Sequence, residues 1–230
     1  MQFSKIFSFS HIDRPVITHL KNVYVSLLLS SIFACLGCAL VLLGYIQVSI
    51  ISVLGTFACI WYIIFTSNNH LYRQNIRLFS LFLLGFCSGI NIGPILQNAI
   101  SIDASLVLTA LLTSSAIFLS FTLAALHAND RRYLMLEGLI WSGLSVLFFW
   151  NFASMFTSLE TFQKGRMLLT LALMCMFVLF DTQLIITKRE YGDTDFVRHS
   201  LDLFSDLLQI FRILLILSTK RESRKRNKSE

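Results

Sequence analysis

The stretch Met167-Leu-Leu-Thr-Leu-Ala-Leu-Met-Cys-Met-Phe-Val-Leu-Phe-Asp181-Thr-Gln-Leu-Ile-Ile186 is an apolar run of membrane-crossing length interrupted by a single carboxylate. A shorter apolar segment follows, and it carries Asp202 and Asp206. Placing an ionised acid at membrane depth costs about 2.5–3.5 kcal/mol on insertion scales. Acids in such places face a protein interior or a water path, where they mark ion or proton handling. In hydrocarbon the backbone polar groups of a segment this long are satisfied only within a helix, because an open strand would leave them bare. The run therefore predicts a helix of an all-α membrane protein whose acids point inward.

Composition extends that reading to the whole chain. Hydrophobic residues make up 55% and charged ones 14%, with only two prolines and a mean hydropathy of +0.70, a profile unlike that of soluble domains. No Asp, Glu, Lys or Arg lies between Lys21 and Arg73. The charge-free runs Leu78 to Ile102, Ala104 to Asn129 and Gly138 to Leu159 are each long enough to cross the hydrocarbon layer. Seven apolar segments emerge: Val23 to Leu43, Val48 to Thr66, Leu78 to Gln97, Ala104 to Leu126, Tyr133 to Ala153, Met167 to Thr187 and Ser200 to Ser218. The predicted organisation is an N-terminal cytoplasmic segment (1–22), one bundle of seven helices (23–218) and a basic tail (219–230). The first apolar run is too long for a signal-peptide core and is read as a retained span. All five cysteines fall inside predicted spans, so no disulfide framework is expected, and Cys35-x-x-Cys38 is read as packing. Gly85, Ser88, Gly89 and Gly93 predict close helix contact, although the stretch ending in Pro94 also suits a broken helix exposing carbonyls to a cavity.

With the N-terminus in the cytoplasm, the basic residues from Lys5 to Lys21, Arg73 and Arg77, Arg131 and Arg132, and Lys188, Arg189 and Arg198 fall on the cytoplasmic side. Only Lys164 and Arg166 oppose them, so the positive-inside rule orients the first six spans. The seventh segment is either a full span, which sends the tail Lys220 to Lys228 across, or a re-entrant dip, which keeps it on the cytoplasmic side. The tail itself suits anionic lipid or an acidic partner.

On a helix, His199, Asp202, Asp206 and Gln209 form one polar stripe, with Ser205 and Arg212 beside it, and an interior-facing position is expected because the face is acidic. Asp181 and Asp206, on successive apolar helices, are predicted to meet. Two carboxylates in contact at low dielectric do not both ionise readily, so they share a proton and couple pH to helix packing. The chain contains no hydrolase elbow, zinc-protease, nucleotide-binding or zinc-ligand spacing, and no enzymatic activity is expected. The Glu190, Asp193 and Asp195 loop lacks the ligand pattern of a calcium-binding hand and is read as solvated. The histidines, all near segment ends, are read as interfacial.

Phe180-Asp181-Thr182-Gln183-Leu184-Ile185-Ile186, then Tyr191-Gly192-Asp193 and His199-Ser-Leu-Asp202-Leu-Phe-Ser-Asp206, closely resemble the Bax inhibitor family of transmembrane proteins. Phe9-Ser-His11-Ile, Ser88-Gly-Ile-Asn-Ile-Gly93-Pro94 and Phe121-Thr-Leu-Ala-Ala-Leu resemble its animal endoplasmic-reticulum branch. The resemblance implies a seven-helix bundle of that membrane which leaks calcium towards the cytosol, is promoted by acid and restrains stress-induced cell death. It implies a pH sensor at Asp181 and Asp206, where a passing calcium ion would also make transient contacts, and an accessory acid on the ion pathway at Asp202. A latch arginine is implied at Arg73 or Arg77. The expected partners are calcium, protons, membrane lipids and death-regulating membrane proteins, with no nucleic acid and no bound cofactor. A rival reading is a non-conducting protein that inhibits cell death by binding other membrane proteins, its acids serving only to fix helix packing.

Overall fold

Polar residues at the edges of the apolar segments continue the helices rather than end them, so most elements are longer than hydropathy alone predicts. The computed structural model describes residues 13–66, 71–128, 132–154, 156 and 160–229; Phe9 to Ile12, Lys5, His70 and Arg131 lie outside them. Seven α-helices follow one another among the described residues: α1 Arg14–Leu42, α2 Ile50–Phe65, α3 Leu71–Ile102, α4 Ser105–His127, α5 Glu137–Ala153, α6 Glu160–Glu190 and α7 Phe196–Ser229. A short 3-10 helix, Arg132–Leu136, leads into α5. Pro15 opens α1, where its missing N–H costs nothing, and Ser49 with Ser52 forms a reciprocal cap on α2. Inside the spans, hydroxyls turn back on their own helix: Ser30 donates to Ser26 O at 2.8 Å, Thr113 to Thr109 O at 2.7 Å and Ser120 to Ala116 O at 2.7 Å. Such bonds hide a polar group from lipid.

Five helices (α1, α3, α4, α6 and, with its 3-10 lead-in, α5) contain windows long and apolar enough to cross a membrane, and α2 is shorter but apolar. The chain is thus a multi-pass membrane protein. The last helix is a single unbroken element of 34 residues, about 51 Å at 1.5 Å per residue, well beyond a hydrocarbon core of about 30 Å. It crosses the bundle completely rather than turning back. The guanidinium of Arg226 on its far end donates to Ile102 O at the α3–α4 turn, the end of the bundle opposite to His19. The basic tail is therefore the continuation of α7 on the side away from the start of α1.

The α1–α3 interface is the most extensive, and glycine makes it. A Cβ on Gly85 would lie 2.4 Å from Ser30 O, one on Gly89 2.0 Å from Ala34 O, and one on Gly37 2.2 Å from Phe86 O. This is backbone-to-backbone packing through small residues at i and i+4. The helix is continuous through Pro94, so the close-contact reading of this stretch holds and the broken-helix reading does not. Asn91 in the same stretch ties α2 to α3, accepting from Ser52 Oγ at 2.7 Å and donating to Thr56 Oγ1 at 3.0 Å. Gly89→Ala is expected to destabilise the protein by about 1–3 kcal/mol, the usual cost of overpacking. Gly138→Ala, where a Cβ meets nothing within 4 Å, should cost nothing; thermal unfolding in detergent checks both.

At the centre stands α7, packed against α1, α2, α3, α4 and α6. It contributes to every core cluster: Leu203 and Ile210 to the first, Val197, Leu201 and Phe204 to the second, and Leu215 to the third. In contrast α5 packs on α6 alone among the long helices and presents Trp141, Phe148 and Phe149 outward, as a lipid-facing helix does. The most polar helix of the bundle is thus the most enclosed one.

Candidate functional site

Enclosure of α7 turns its acids inward against α6. Asp206 is 6% exposed, and its carboxyl lies close to that of Asp181 on α6. Two carboxyl groups so placed are joined by a hydrogen bond only when at least one of them carries a proton. No protein donor among the described residues reaches Asp206 Oδ2. One turn earlier on α7, the half-buried Asp202 acts electrostatically on both acids. Lys188 on α6 acts on Asp181 and Asp202, and Arg198 on α7 acts on Asp202. The site is a pair of acids with a third acid one turn away on α7 and cations at one end.

The rest of the Phe-Asp-Thr-Gln motif has its own partners. Buried Gln183 accepts from Tyr133 N–H at 2.8 Å and so anchors the lead-in to α5. Buried Thr182 lies with Thr122 of α4 around the Tyr24 hydroxyl of α1. The polar stripe expected on α7 splits: His199 and Asp206 are buried, Asp202 is partly so, and Gln209, Ser205 and Arg212 face outward. A helix of 3.6 residues per turn carries a sparse stripe off the packed face within a few turns.

Of the two candidate latch arginines, Arg73 is exposed and Arg77 is buried. Arg77 Nη1 and Nη2 grip Asp195 Oδ1 and Oδ2 at 2.9 and 2.6 Å, and Nη2 also donates to Ile63 O at 2.8 Å. This two-pronged pair is the strong form of an ion pair. Asp195, which immediately precedes α7, accepts in addition from Arg198 N–H at 3.2 Å. The loop read as solvated therefore delivers a largely buried acid, 16% exposed, that joins the end of α2, the start of α3 and the start of α7. Gly192, with φ of 95°, takes the left-handed turn that brings the loop back.

A second contact also escaped the sequence reading. His19 on α1 and His199 on α7 are buried, 6% and 1% exposed, with His19 Nε2 2.9 Å from His199 Nδ1. His199 Nε2 lies 3.7 Å from Asp193 Oδ2. These histidines are interior, not interfacial. The only hint in the sequence was that His199 shares a helix face with Asp202 and Asp206. At the opposite end of the bundle, Ser105 N–H donates to Asp103 at 2.8 Å, which, with Arg226 nearby, holds that exposed carboxyl below the usual range. Among the described residues no three His, Cys, Asp or Glu side chains converge as a metal site. Two carboxyls supply far fewer than the six to eight oxygens that calcium takes in a resident site.

The pattern of a family described as "Inhibitor of apoptosis-promoting Bax1" matches residues 16–223. A protein of Paralichthys olivaceus named "Probable Bax inhibitor 1" is 40% identical over 230 residues, which cover 99% of this chain and 97% of that protein. "Bax inhibitor 1" of Homo sapiens is 35% identical over 230 residues, with the same coverage. "Bax inhibitor 1" of Arabidopsis thaliana is 34% identical over 224 residues, 97% of this chain and 89% of that protein.

Proposed function

The chain belongs to the Bax inhibitor family, and from that membership together with the paired acids of α6 and α7 we propose that it is a pH-gated calcium leak of the endoplasmic reticulum membrane that restrains stress-induced cell death, with its N-terminus in the cytoplasm. The observation that carries the reading is the contact of Asp181 with Asp206 in the centre of the bundle. A pair holding one proton is joined by a charge-assisted O–H···O⁻ bond, roughly twice as strong as a neutral one. A second proton converts it to the neutral form and loosens the grip of α6 on α7, so acid opens the path. Asp202, one turn nearer the cations Lys188 and Arg198, attracts the entering ion. Arg77 serves as the latch through Asp195, holding the start of α7 against α2 and α3. The protein acts in this reading as a conduit and not as an enzyme.

Calcium flux measured across pH in vesicles containing only this protein tests the proposal. Flux that rises on acidification supports it. No flux from folded, inserted protein at any pH would overturn it in favour of a non-conducting partner of other membrane proteins. Asp202→Asn is expected to lower flux while leaving its pH response in place, since Asp202 lies outside the proton-sharing contact. A flat profile in that variant would mean that the three acids titrate as one unit.

A further inference from the structure

Helices α1 and α4 both pack against α7, and they approach each other at Tyr24 and Thr122. Between them runs a slot of about 370 Å³, walled by α1, α3 and α4 and floored by Phe204, Leu208 and Phe211 of α7. We propose that this slot binds one fatty acyl chain of a phospholipid of the surrounding bilayer, with the headgroup towards the basic end of α7.

Chemistry of the walls supports a hydrocarbon guest. The surface is almost wholly apolar, and three of the five polar side chains on it are already engaged: Ser31 Oγ donates to Leu27 O at 2.9 Å, Ser114 Oγ to Leu111 O at 3.0 Å and Cys38 Sγ to Gly89 O at 3.1 Å, which leaves only Cys35 and Ser115. Water needs two to four polar partners to occupy a cavity, and these walls offer too few. Leu28 and Leu111 on the rim are 60% and 46% exposed, so the slot opens sideways between two helices of spanning length. What it opens onto is the hydrocarbon layer.

Shape and charge narrow the class of lipid. The α1 positions along the wall run from Leu27 to Leu42, about 22 Å at the helical rise. A volume of 370 Å³ drawn out over that length is the form of a single extended chain rather than of a fused-ring sterol. The slot leads towards the α3–α4 turn, the end of the bundle where Arg226 meets Ile102 and where Lys225 and Arg226 stand exposed on the same face of α7. A phosphate at that depth meets positive side chains, each worth roughly 1 kcal/mol near an anionic surface. The bound chain would lie against the face of α7 formed by Phe204, Leu208 and Phe211, on the helix that carries Asp206, so its presence would bear on the packing of that helix.

The test uses the full chain in phosphatidylcholine vesicles doped with phosphatidylserine that carries a photoreactive diazirine in mid-chain, with adducts mapped by mass spectrometry. Adducts concentrated on Leu111, Phe204 and Phe211, above the level on the outward Phe148 and Phe149 of α5, are expected. Ser115→Phe and Ala39→Phe, which fill the slot from its rim, should lose most of the slot labelling while α5 labelling is unchanged. Lys225→Gln with Arg226→Gln, exposed positions on the α7 face that continues Phe204, Leu208 and Phe211, should reduce labelling by the serine lipid but not by a phosphatidylcholine probe. Uniform labelling of all lipid-facing helices, slot labelling that survives filling, or capture of a photoreactive sterol in place of the acyl probe would each overturn the proposal. Should the filled variants fail to fold, the adduct map of the unaltered protein decides alone.

Discussion

Asp181→Asn and Asp206→Asn are each expected to flatten the pH dependence of calcium flux. The two carboxyls meet in the buried centre of the bundle, where the groups acting on them are Asp202, Lys188 and, through Asp202, Arg198 and Asp195. Of these, only the two members of the pair lie close enough for one to share a proton with the other. An amide keeps the size of the carboxyl and donates a hydrogen bond permanently to the remaining acid, but it neither gains nor loses a proton. The α6–α7 contact then has the same form in acid and at neutrality, and flux no longer follows pH. In the proposed gate the pair titrates as a unit, so either substitution removes the whole response rather than half of it. The comparison requires unchanged thermal melting in detergent, which separates loss of the sensor from loss of the fold. If both variants keep the wild-type profile, the acids are structural and the gating mechanism is wrong.

Arg77→Met is expected to cost about 3–5 kcal/mol of stability, the range for removing one partner from a buried ion pair, towards the lower end because Asp195 keeps some water. Three hydrogen bonds disappear at once, two to Asp195 and one to Ile63 O. Asp195 is left facing an apolar side chain. Arg77→Lys should recover only part of the loss, since a point-charge ammonium does not reproduce a planar fork that reaches a carboxylate and a carbonyl together. Adding Asp195→Asn to Arg77→Met should restore stability relative to the single variant: it removes the orphaned charge and retains an acceptor for Arg198 N–H. Chemical or thermal unfolding of the four proteins checks the cycle. An Arg77→Met variant within about 0.5 kcal/mol of wild type, the range of an ordinary surface change, would remove the clamp from the account.

The α1–α3 contact shows how far pattern alone reaches. Gly85, Gly89 and Gly93 recur every four residues, and that spacing is visible in one segment without knowledge of its partner. That the partners are Ser30 O, Ala34 O and Val41 is not, because any other helix with a small-residue face would have suited. Likewise the polar stripe on α7 was legible as a stripe, but the outward turn of Gln209 follows from how α7 is rotated among five neighbours.

The sequence by itself determined the membrane-embedded helical class, the number and order of the seven segments, the family and the three acids that stand out against apolar surroundings. Each of these is a local property, since hydropathy sums along the chain and a carboxylate in a Leu- and Phe-rich run is costly wherever the run is placed. Only the tertiary structure decided that α7 is the central helix and crosses the bundle unbroken, that Arg77 rather than Arg73 is clamped, and that an apolar slot opens among α1, α3, α4 and α7. Arg77 and Asp195 are 118 positions apart, and His19 and His199 are 180. Partners at such separations are selected by the rotation and crossing of whole helices, to which side chains throughout the bundle contribute, so no single segment encodes them.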